Sequence, residues 1–479
     1  MAEKAPSLTI QSLPLELRHH ILRLSPDPPS LRSLALTCSA FYNAFAATEQ
    51  ATTTAVLSRH IHPHVQREAI VALAAARLPV RHSLALPAFV EANLIRKDTT
   101  SSQPEWSLAD ALAAYRVHTH VGYLSQALSR QLLDRPPFQA ANIEHDCGGA
   151  DQSTEMPLPR PSNSELHRFE RSLYRFEICC SLYKLSSSED DGIWDSWFPK
   201  LPKFELEQLS CVNNLLTYLI APAFNDLVQH DVSWGYFGID LITDESSPLA
   251  QRVLSRGLET LHALVQAQTF DERRRILHGG DNREDEPVGA SDFLCERLER
   301  TPDVTLATYL PISELLPDEK ARVLGIPTYP DIPGDAGPAK IFELVHRDSF
   351  PSELVAQPEF RSYQRWGYVF WDEARLEKLG ALIEDGPAKL VTPPNPLQVY
   401  GELANDQLQA SRTRRSEIWR RGGSGWWSQD DESKVVWPDR KKKGAHKKGP
   451  LMTARSVQGA KDFLRGLKLP DMRAGKAEG

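Results

Sequence analysis

Apolar residues recur at intervals of three and four positions along much of this 479-residue chain. This spacing places them on one face of an α-helix, whereas a strand with one buried face alternates at every second position. The stripes comprise Leu13, Leu17, Ile21 and Leu24; Leu31, Leu34, Cys38, Phe41 and Phe45; Phe169, Leu173, Phe176 and Cys180; and Leu209, Val212, Leu216 and Leu219. The chain is therefore predicted to be mainly α, with an irregular multi-helix body and little β.

Composition indicates a folded protein and excludes several classes. Hydrophobic residues make up 41% and charged residues 25% of the chain, which are ordinary globular values. The six cysteines include no CxxC pair, so neither a disulfide framework nor a zinc finger is predicted. The sequence contains no apolar run long enough to span a membrane, and its N-terminus lacks the apolar core of a secretory signal. We expect an intracellular protein, cytoplasmic, nuclear or both, without membrane contact.

Charge is distributed unevenly along the chain. The net charge is −8, yet residues 434–479 contain thirteen Lys and Arg against four Asp and Glu. An acidic main part repels phosphate backbones, whereas a basic end attracts acidic partners. A short cluster within that end is a candidate nuclear import signal, and the alternative is a solvated tail. The cluster comprises Arg440, Lys441, Lys442, Lys443, Lys447 and Lys448.

Changes in composition divide the chain into five segments. Prolines cut the Ala- and Leu-rich region that follows the first module, and a polar stretch rich in Gly and Pro predicts a surface loop. The segments are a module of three short helices at 8–55, a helical extension at 56–135, a loop or linker at 136–165, a helical body at 166–405 and a basic, disordered tail at 406–479.

The segment 8–55 carries the clearest helical pattern. Pro14 suits the first turn of a helix, where its missing N–H has no helical partner. The run SPDPPS at 25–30 contains three prolines, and these are expected to end the first helix. Because about fifty residues bury little apolar surface alone, the apolar face of this module needs a partner, either the rest of the chain or another protein.

The same segment resembles the F-box of fungal proteins. The matching elements are Leu13-Pro14-x-Glu16-Leu17, Ile21-Leu22, a proline-rich turn, Leu31-x-x-Leu34 and Thr37-Cys38-x-x-Phe41. The resemblance implies a three-helix module that docks on a Skp-type adaptor, which joins it to a cullin and a RING subunit in a ubiquitin ligase. The implied interface comprises Leu13, Pro14, Leu17, Ile21, Leu22, Leu31, Leu34, Cys38 and Phe41.

The resemblance therefore implies a substrate-recognition subunit that has no catalytic residues of its own and binds an unidentified protein substrate. The residues leave other interpretations open. In the first, segment 8–55 is a helical hairpin that caps the body. In the second, the protein is a nuclear structural or chromatin-associated protein acting through its basic tail. In the third, an enzyme lies within residues 166–405.

Residues that often carry chemistry do not form a recognisable site in the sequence. His60, His62 and His64 are spaced as HIHPH, but residues two apart point in different directions on a helix, so no metal site is predicted. Cys147 lies beside His145 only in sequence, whereas catalytic pairs are neighbours in space. The phosphate-loop, GxSxG and HExxH motifs are absent from the sequence. No catalytic, cofactor-binding or metal-binding residue is predicted.

Aromatic residues cluster in two further places. The stretch 366–371 (WGYVFW) is predicted to form a short strand or turn before a helix with Asp372 as its N-cap. Between residues 412 and 427 arginines and tryptophans are interleaved, a pattern that stacks on bases or pairs within the protein. Without a fold around these residues, nucleic-acid binding is not predicted.

Overall fold

The computed structural model describes residues 10–79, 85–95, 105–134, 159–185, 192–278, 293–299, 310–325, 335–382, 395–402 and 405–438. The protein is mainly helical, as predicted, and the described residues contain two short strands. The helices are α1 (Leu15–Arg23), α2 (Pro28–Ala35), α3 (Ser39–Ala47), α4 (Glu49–Leu57), α5 (Pro63–Ala76), α6 (Ala85–Val90), α7 (Leu108–Leu133), α8 (Asn163–Leu185), α9 (Gly192–Trp197), α10 (Lys203–His230), α11 (Val232–Phe237), α12 (Pro248–Leu254), α13 (Leu258–Gln266), α14 (Phe270–His278), α15 (Cys295–Glu299), α16 (Pro317–Leu324), α17 (Gly337–Val345), α18 (Arg361–Trp366), α19 (Glu373–Lys378), α20 (Gln398–Gly401) and α21 (Asn405–Arg420). The strands β1 (Ser424–Gly425) and β2 (Val435–Val436) pair antiparallel.

The N-terminal module consists of α1 to α4, one helix more than predicted. Its small core is separate from that of the body and comprises Leu22, Leu31, Ala35, Phe41, Ala44, Phe45 and Val56. The second predicted stripe is divided between α2 and α3, because Cys38 is the N-cap of α3 rather than part of a continuous helix. The fourth helix, α4, packs against α1, α2 and α3 and closes this core.

The prolines at 28 and 29 begin α2 rather than prolong the break, which corrects the predicted gap at 25–30. Asp27 is the N-cap, and its Oδ1 accepts a hydrogen bond from the backbone N–H of Ser30 at 2.7 Å. Proline is tolerated in the first turn because the N–H groups there have no helical partner. Helix α1 ends just before, with Leu24 as its C-cap.

Replacing this N-cap tests how much α2 depends on it. We expect Asp27→Ala to lower the free energy of unfolding of the full chain by about 1 kcal/mol, because an N–H of the first turn loses its acceptor. Chemical denaturation followed by circular dichroism measures the change. Asp27→Asn retains an acceptor oxygen and should stay near the wild-type value; an equal loss in both variants would contradict this role.

The body has one large core that contains residues from Leu57 to Leu397. Helix α10 lies at its centre and is buried along most of its length. Helix α8 packs against α10 and also against α5 and α7. Because α5 and α7 share this core with α8, the extension predicted at 56–135 belongs to the body. The predicted linker ends before residue 165, since α8 begins at Asn163; residues 135–158 lie outside the described residues.

The predicted apolar stripes of the body are buried, as expected. Phe169, Leu173, Phe176 and Cys180 on α8 are fully buried, and so are Leu209, Val212 and Leu216 on α10. Leu219 is partly buried against the same core. The vicinal thiols of Cys179 and Cys180 pack inside this core, and burial raises the pKa of both. These helices therefore form the scaffold of the body.

The aromatic stretch 366–371 is not a strand. Helix α18 ends at Trp366, Gly367 adopts φ +65°, and Tyr368–Phe370 form a 3-10 turn. Asp372 is the N-cap of α19 by position, but it makes no capping hydrogen bond with its side chain. Its carboxylate instead accepts hydrogen bonds from Arg168, Ser162 and Ser164. Asp372 therefore ties the start of α19 to α8.

Residues 406–438, assigned to a tail from the sequence, are folded, which makes that part of the prediction wrong. Helix α21 packs on α11, and the strands β1 and β2 follow it. Arg415 is buried, and its Nη1 donates a hydrogen bond to the backbone oxygen of Asp231 at 2.9 Å. Gly235 is required at this contact, because a Cβ there would lie 2.5 Å from the Cβ of Arg415. The basic cluster at 440–448 lies outside the described residues.

Candidate partner-binding surface

The two faces of α1 have different environments. Leu22 is fully buried in the core of the module, and Arg18 Nη1 donates a hydrogen bond to the backbone oxygen of Ala40 at 2.8 Å. On the other face, Leu17 is 49% and Leu24 is 62% exposed. The chain therefore leaves the predicted apolar stripe of α1 open along this face.

We call this feature the α1 stripe; it consists of Leu13, Leu17, Ile21 and Leu24. Leu13 and Ile21 are partly buried; Ile21 lies between the two exposed leucines and packs against the module core. A helix places residues three, four and seven apart on one face, so the stripe is continuous along α1 and the residues at its two ends. An apolar stripe of this kind on a protein surface is typical of a protein interface.

The nine interface residues implied by the F-box resemblance divide into three groups. Leu22, Leu31 and Phe41 are fully buried, so the expectation that these three contact a partner is corrected: they hold the helices of the module together. Pro14 and Leu17 are exposed. Leu13, Ile21, Leu34 and Cys38 are partly buried, the last three of them against the module core. Docking through this surface is therefore limited mainly to α1 and the residues before it.

Five exposed apolar side chains of the module were absent from the predicted interface. They are Ile10, Leu15, Leu24, Leu36 and Tyr42. The sequence contains a signal for Leu15, because Leu13, Leu15 and Leu17 cannot all face one side of a helix. Leu36 and Tyr42 offer no comparable signal, because their exposure depends on how α2 and α3 pack.

The opposite side of the module is fastened to the body. Helices α2 and α4 pack against α7. The backbone N–H of Leu108 donates to Glu49 Oε1 at 2.9 Å, and that of Trp106 donates to Thr54 Oγ1 at 3.2 Å. A groove of about 580 Å³ remains between α2 and α7, with Arg32 on one wall. The described residues of the body thus contact α2 and α4, whereas Leu17 and Leu24 of the α1 stripe stay exposed.

Two of the three histidines of the HIHPH segment, His62 and His64, lie near a histidine of α8, His167. The ring centroids of His62 and His167 are 4.0 Å apart, and those of His62 and His64 are 5.0 Å apart. Burial, together with the nearby His64, lowers the pKa of His62; burial and both rings lower the pKa of His167 to about 4. Among the described residues, no group of three or more His, Cys, Asp or Glu side chains is arranged so that it could hold a metal ion. Cys147 lies outside those residues.

Burial of a histidine in the body predicts acid sensitivity. The His346 ring packs between Phe342 and Phe360, and its Nε2 is 3.0 Å from Tyr368 Oη. Burial lowers the pKa of His346 to about 3. The unfolded chain binds a proton at this histidine below about pH 6.5 and the folded chain does not, so the stabilisation is present above that pH and decreases as the pH falls.

We expect this histidine to reduce the free energy of unfolding by about 1.4 kcal/mol per pH unit below pH ~6.5. Urea denaturation gives the free energy of unfolding of the wild type and of His346→Gln at several pH values in this range, and the slopes of that free energy against pH are compared. The comparison cancels the contributions of groups whose effect on stability has the opposite sign, such as Glu170, whose pKa burial raises to about 7. Equal slopes in the two proteins would contradict the assignment.

Within the described residues, none of the helices is both long and apolar enough to cross a membrane. Comparisons of the chain with protein-family models, with curated proteins and with solved structures find no match. The case for a function therefore depends on the α1 stripe and the sequence pattern that it carries.

Proposed function

We propose that the protein is an F-box-type adaptor whose α1 stripe docks on a Skp-type protein and, through it, on a cullin. The observation that carries this proposal is the exposure of Leu17 and Leu24 on a helix whose other face builds the module core. A helix that only capped the body would bury this stripe against it. In this protein α2 and α4 contact the body, and the α1 stripe presents Leu17 and Leu24 to solvent.

Apolar burial supplies the affinity in this proposal. A leucine contributes roughly 1.5–3 kcal/mol when it passes from full exposure to full burial, so Leu17 and Leu24, each about half exposed, contribute about half of that each. Ion pairs at the edge of such an interface contribute about 0–1 kcal/mol. Leu17 and Leu24, together with the partly buried Leu13 and Ile21, therefore dominate the binding free energy.

The proposed mechanism requires no catalytic residue in this chain. The adaptor holds a protein substrate on the helical body, close to the conjugating enzyme that the cullin and its RING subunit bring. Tethering raises the effective concentration of substrate lysines near the activated ubiquitin. The protein would act in this way in the cytoplasm, the nucleus or both.

Direct binding tests the proposal. The purified full-length chain is titrated with a purified Skp-type adaptor by isothermal calorimetry, and size-exclusion chromatography gives the stoichiometry. A one-to-one complex with a negative heat-capacity change is expected, because apolar surface is buried. Absence of binding by the folded chain would overturn the proposal and favour a module that only caps the body.

A further inference from the structure

A second exposed apolar surface lies on the body, formed by α11, the end of α21 and strand β2. We call it the aromatic patch; it consists of Tyr236, Phe237, Trp419, Val436 and Trp437. Phe237 is 56% and Trp437 is 43% exposed, and Tyr236 and Val436 are exposed as well. Clustered exposed aromatic side chains mark interaction sites, and Trp and Tyr are enriched among residues that dominate binding energy.

Internal contacts hold the aromatic patch in place. The Trp419 ring lies 5.9 Å from those of both Tyr236 and Phe237. Trp437 packs at Gly423, directly after α21, where a Cβ would lie 3.2 Å from the indole ring. Ser416 Oγ donates a hydrogen bond to the backbone oxygen of Gly235 at 3.1 Å. The patch is preorganised, so a partner loses less conformational freedom on binding.

Cations at the edge of the patch indicate the charge of the partner. Arg421 lies over the Trp437 ring at 5.0 Å, and Arg420 is exposed. Neither forms a salt bridge with a carboxylate of the described residues, although the charge of Arg421 adds to the effect of Trp427 and Arg414 in lowering the pKa of Glu432. The other exposed cations of α21 are occupied, since Arg412 pairs with Asp240 and Arg414 pairs with Glu432. Arg420 and Arg421 therefore remain available for an acidic partner.

The chain's own C-terminal segment is a poor occupant of this surface. Residues 439–479, which follow Pro438 directly, contain twelve Lys and Arg against four Asp and Glu. Like charges repel Arg420 and Arg421 from this segment, whereas an acidic partner is attracted by both. The positive charge at this end of the molecule therefore favours a separate, acidic molecule as the partner.

A nucleic acid fits the surface less well than a peptide. The Trp426 ring already stacks on His230 at 5.0 Å and carries Lys434 over it at 4.3 Å. Arg421 lies over one face of the Trp437 ring, so a base could not stack on that face.

We propose that the aromatic patch binds an acidic peptide segment that carries apolar side chains. The apolar side chains contact Phe237 and Trp437, and the carboxylates pair with Arg420 and Arg421. That this segment belongs to a ubiquitination substrate depends on the proposed function; the binding itself does not.

A random-peptide phage library selected on the full-length protein tests this inference. The enriched peptides should have net negative charge and contain aromatic or leucine residues. A synthetic peptide of that kind should bind the Phe237→Ser/Trp437→Ser variant at least about tenfold more weakly than the wild type. Phe350, an exposed aromatic residue elsewhere on the body, gives the control Phe350→Ser, which should bind as the wild type does.

Further measurements separate the components of the proposal. Arg420→Glu/Arg421→Glu should weaken the same peptide and reduce the salt dependence of its binding, and it remains informative if the serine variant does not fold. Leu17→Asp/Leu24→Asp should bind the peptide normally, so a failure of adaptor docking can be distinguished from a failure of peptide binding. Enrichment of neutral or basic peptides would overturn the inference. Equal peptide binding by the serine variant and the wild type would also overturn it. Binding of an oligouridylate by the wild type that is lost in the serine variant would do the same.

Discussion

The double variant Leu17→Asp/Leu24→Asp is expected to lose about tenfold to a hundredfold in affinity for a Skp-type adaptor, since burying the exposed halves of the two leucines contributes about 1.5–3 kcal/mol in total. Each aspartate also places an unpaired charge in an apolar interface, which adds a desolvation penalty. The fold should be retained, because both side chains are exposed on α1. Isothermal calorimetry with the purified adaptor measures the loss, and circular dichroism checks the helix content.

A matched variant separates this effect from a general increase in surface charge. Val399 on α20 is 59% exposed, so Val399→Asp adds a carboxylate at a similar apolar site on the body. It should bind the adaptor as tightly as the wild type does. Unchanged binding by Leu17→Asp/Leu24→Asp would show that the α1 stripe is not the interface. Substitution of Leu22 is uninformative here, because it would disturb the module core.

The period of the stripes predicted the helices but not the environment of every face. Leu17 and Leu22 are both leucines on α1, yet Leu17 is half-exposed and Leu22 is buried. Helical spacing tells which residues share a face, whereas the packing of α1 against α3 and α4 decides which face is inside. The F-box pattern does not distinguish the residues that form the module from those that meet a partner, so Leu31 and Phe41 appeared as interface residues.

Two other errors have different causes, one local and one long-range. Pro28 and Pro29 were assigned to a break, although proline at the first positions of a helix is favourable and Asp27 provides the N-cap. The Arg- and Trp-rich residues after 405 looked like a solvated tail by composition. Arg415 is buried there because the backbone oxygen of Asp231 accepts its hydrogen bond and Gly235 leaves room for its side chain. Neither partner is near Arg415 in sequence, so local pattern could not reveal the contact.

Arg168→Met is expected to lower the free energy of unfolding of the body by about 3–5 kcal/mol, as when one partner of a buried ion pair is removed. The guanidinium of Arg168 is fully buried on α8 and lies 2.5 Å from Asp335 Oδ2 and 2.7 Å from Asp372 Oδ1. It also donates to the backbone oxygen of Phe370 at 3.1 Å. Methionine keeps much of the volume but leaves two mostly buried carboxylates close together without their cation. Chemical denaturation measures the loss.

The contrast with an exposed pair shows why burial decides the magnitude. Arg414→Met removes an arginine that pairs with Glu417 and Glu432 on the surface, and its effect on the free energy of unfolding should be much smaller than that of Arg168→Met. Adding Asp335→Asn to Arg168→Met should restore part of the lost stability, because one of the two unpaired charges is removed. Without such recovery, the loss would come from packing around the side chain of Arg168. Recovery would instead show that the charge of Arg168 joins α8 to the segment around Asp372, which lies more than two hundred residues later in the sequence.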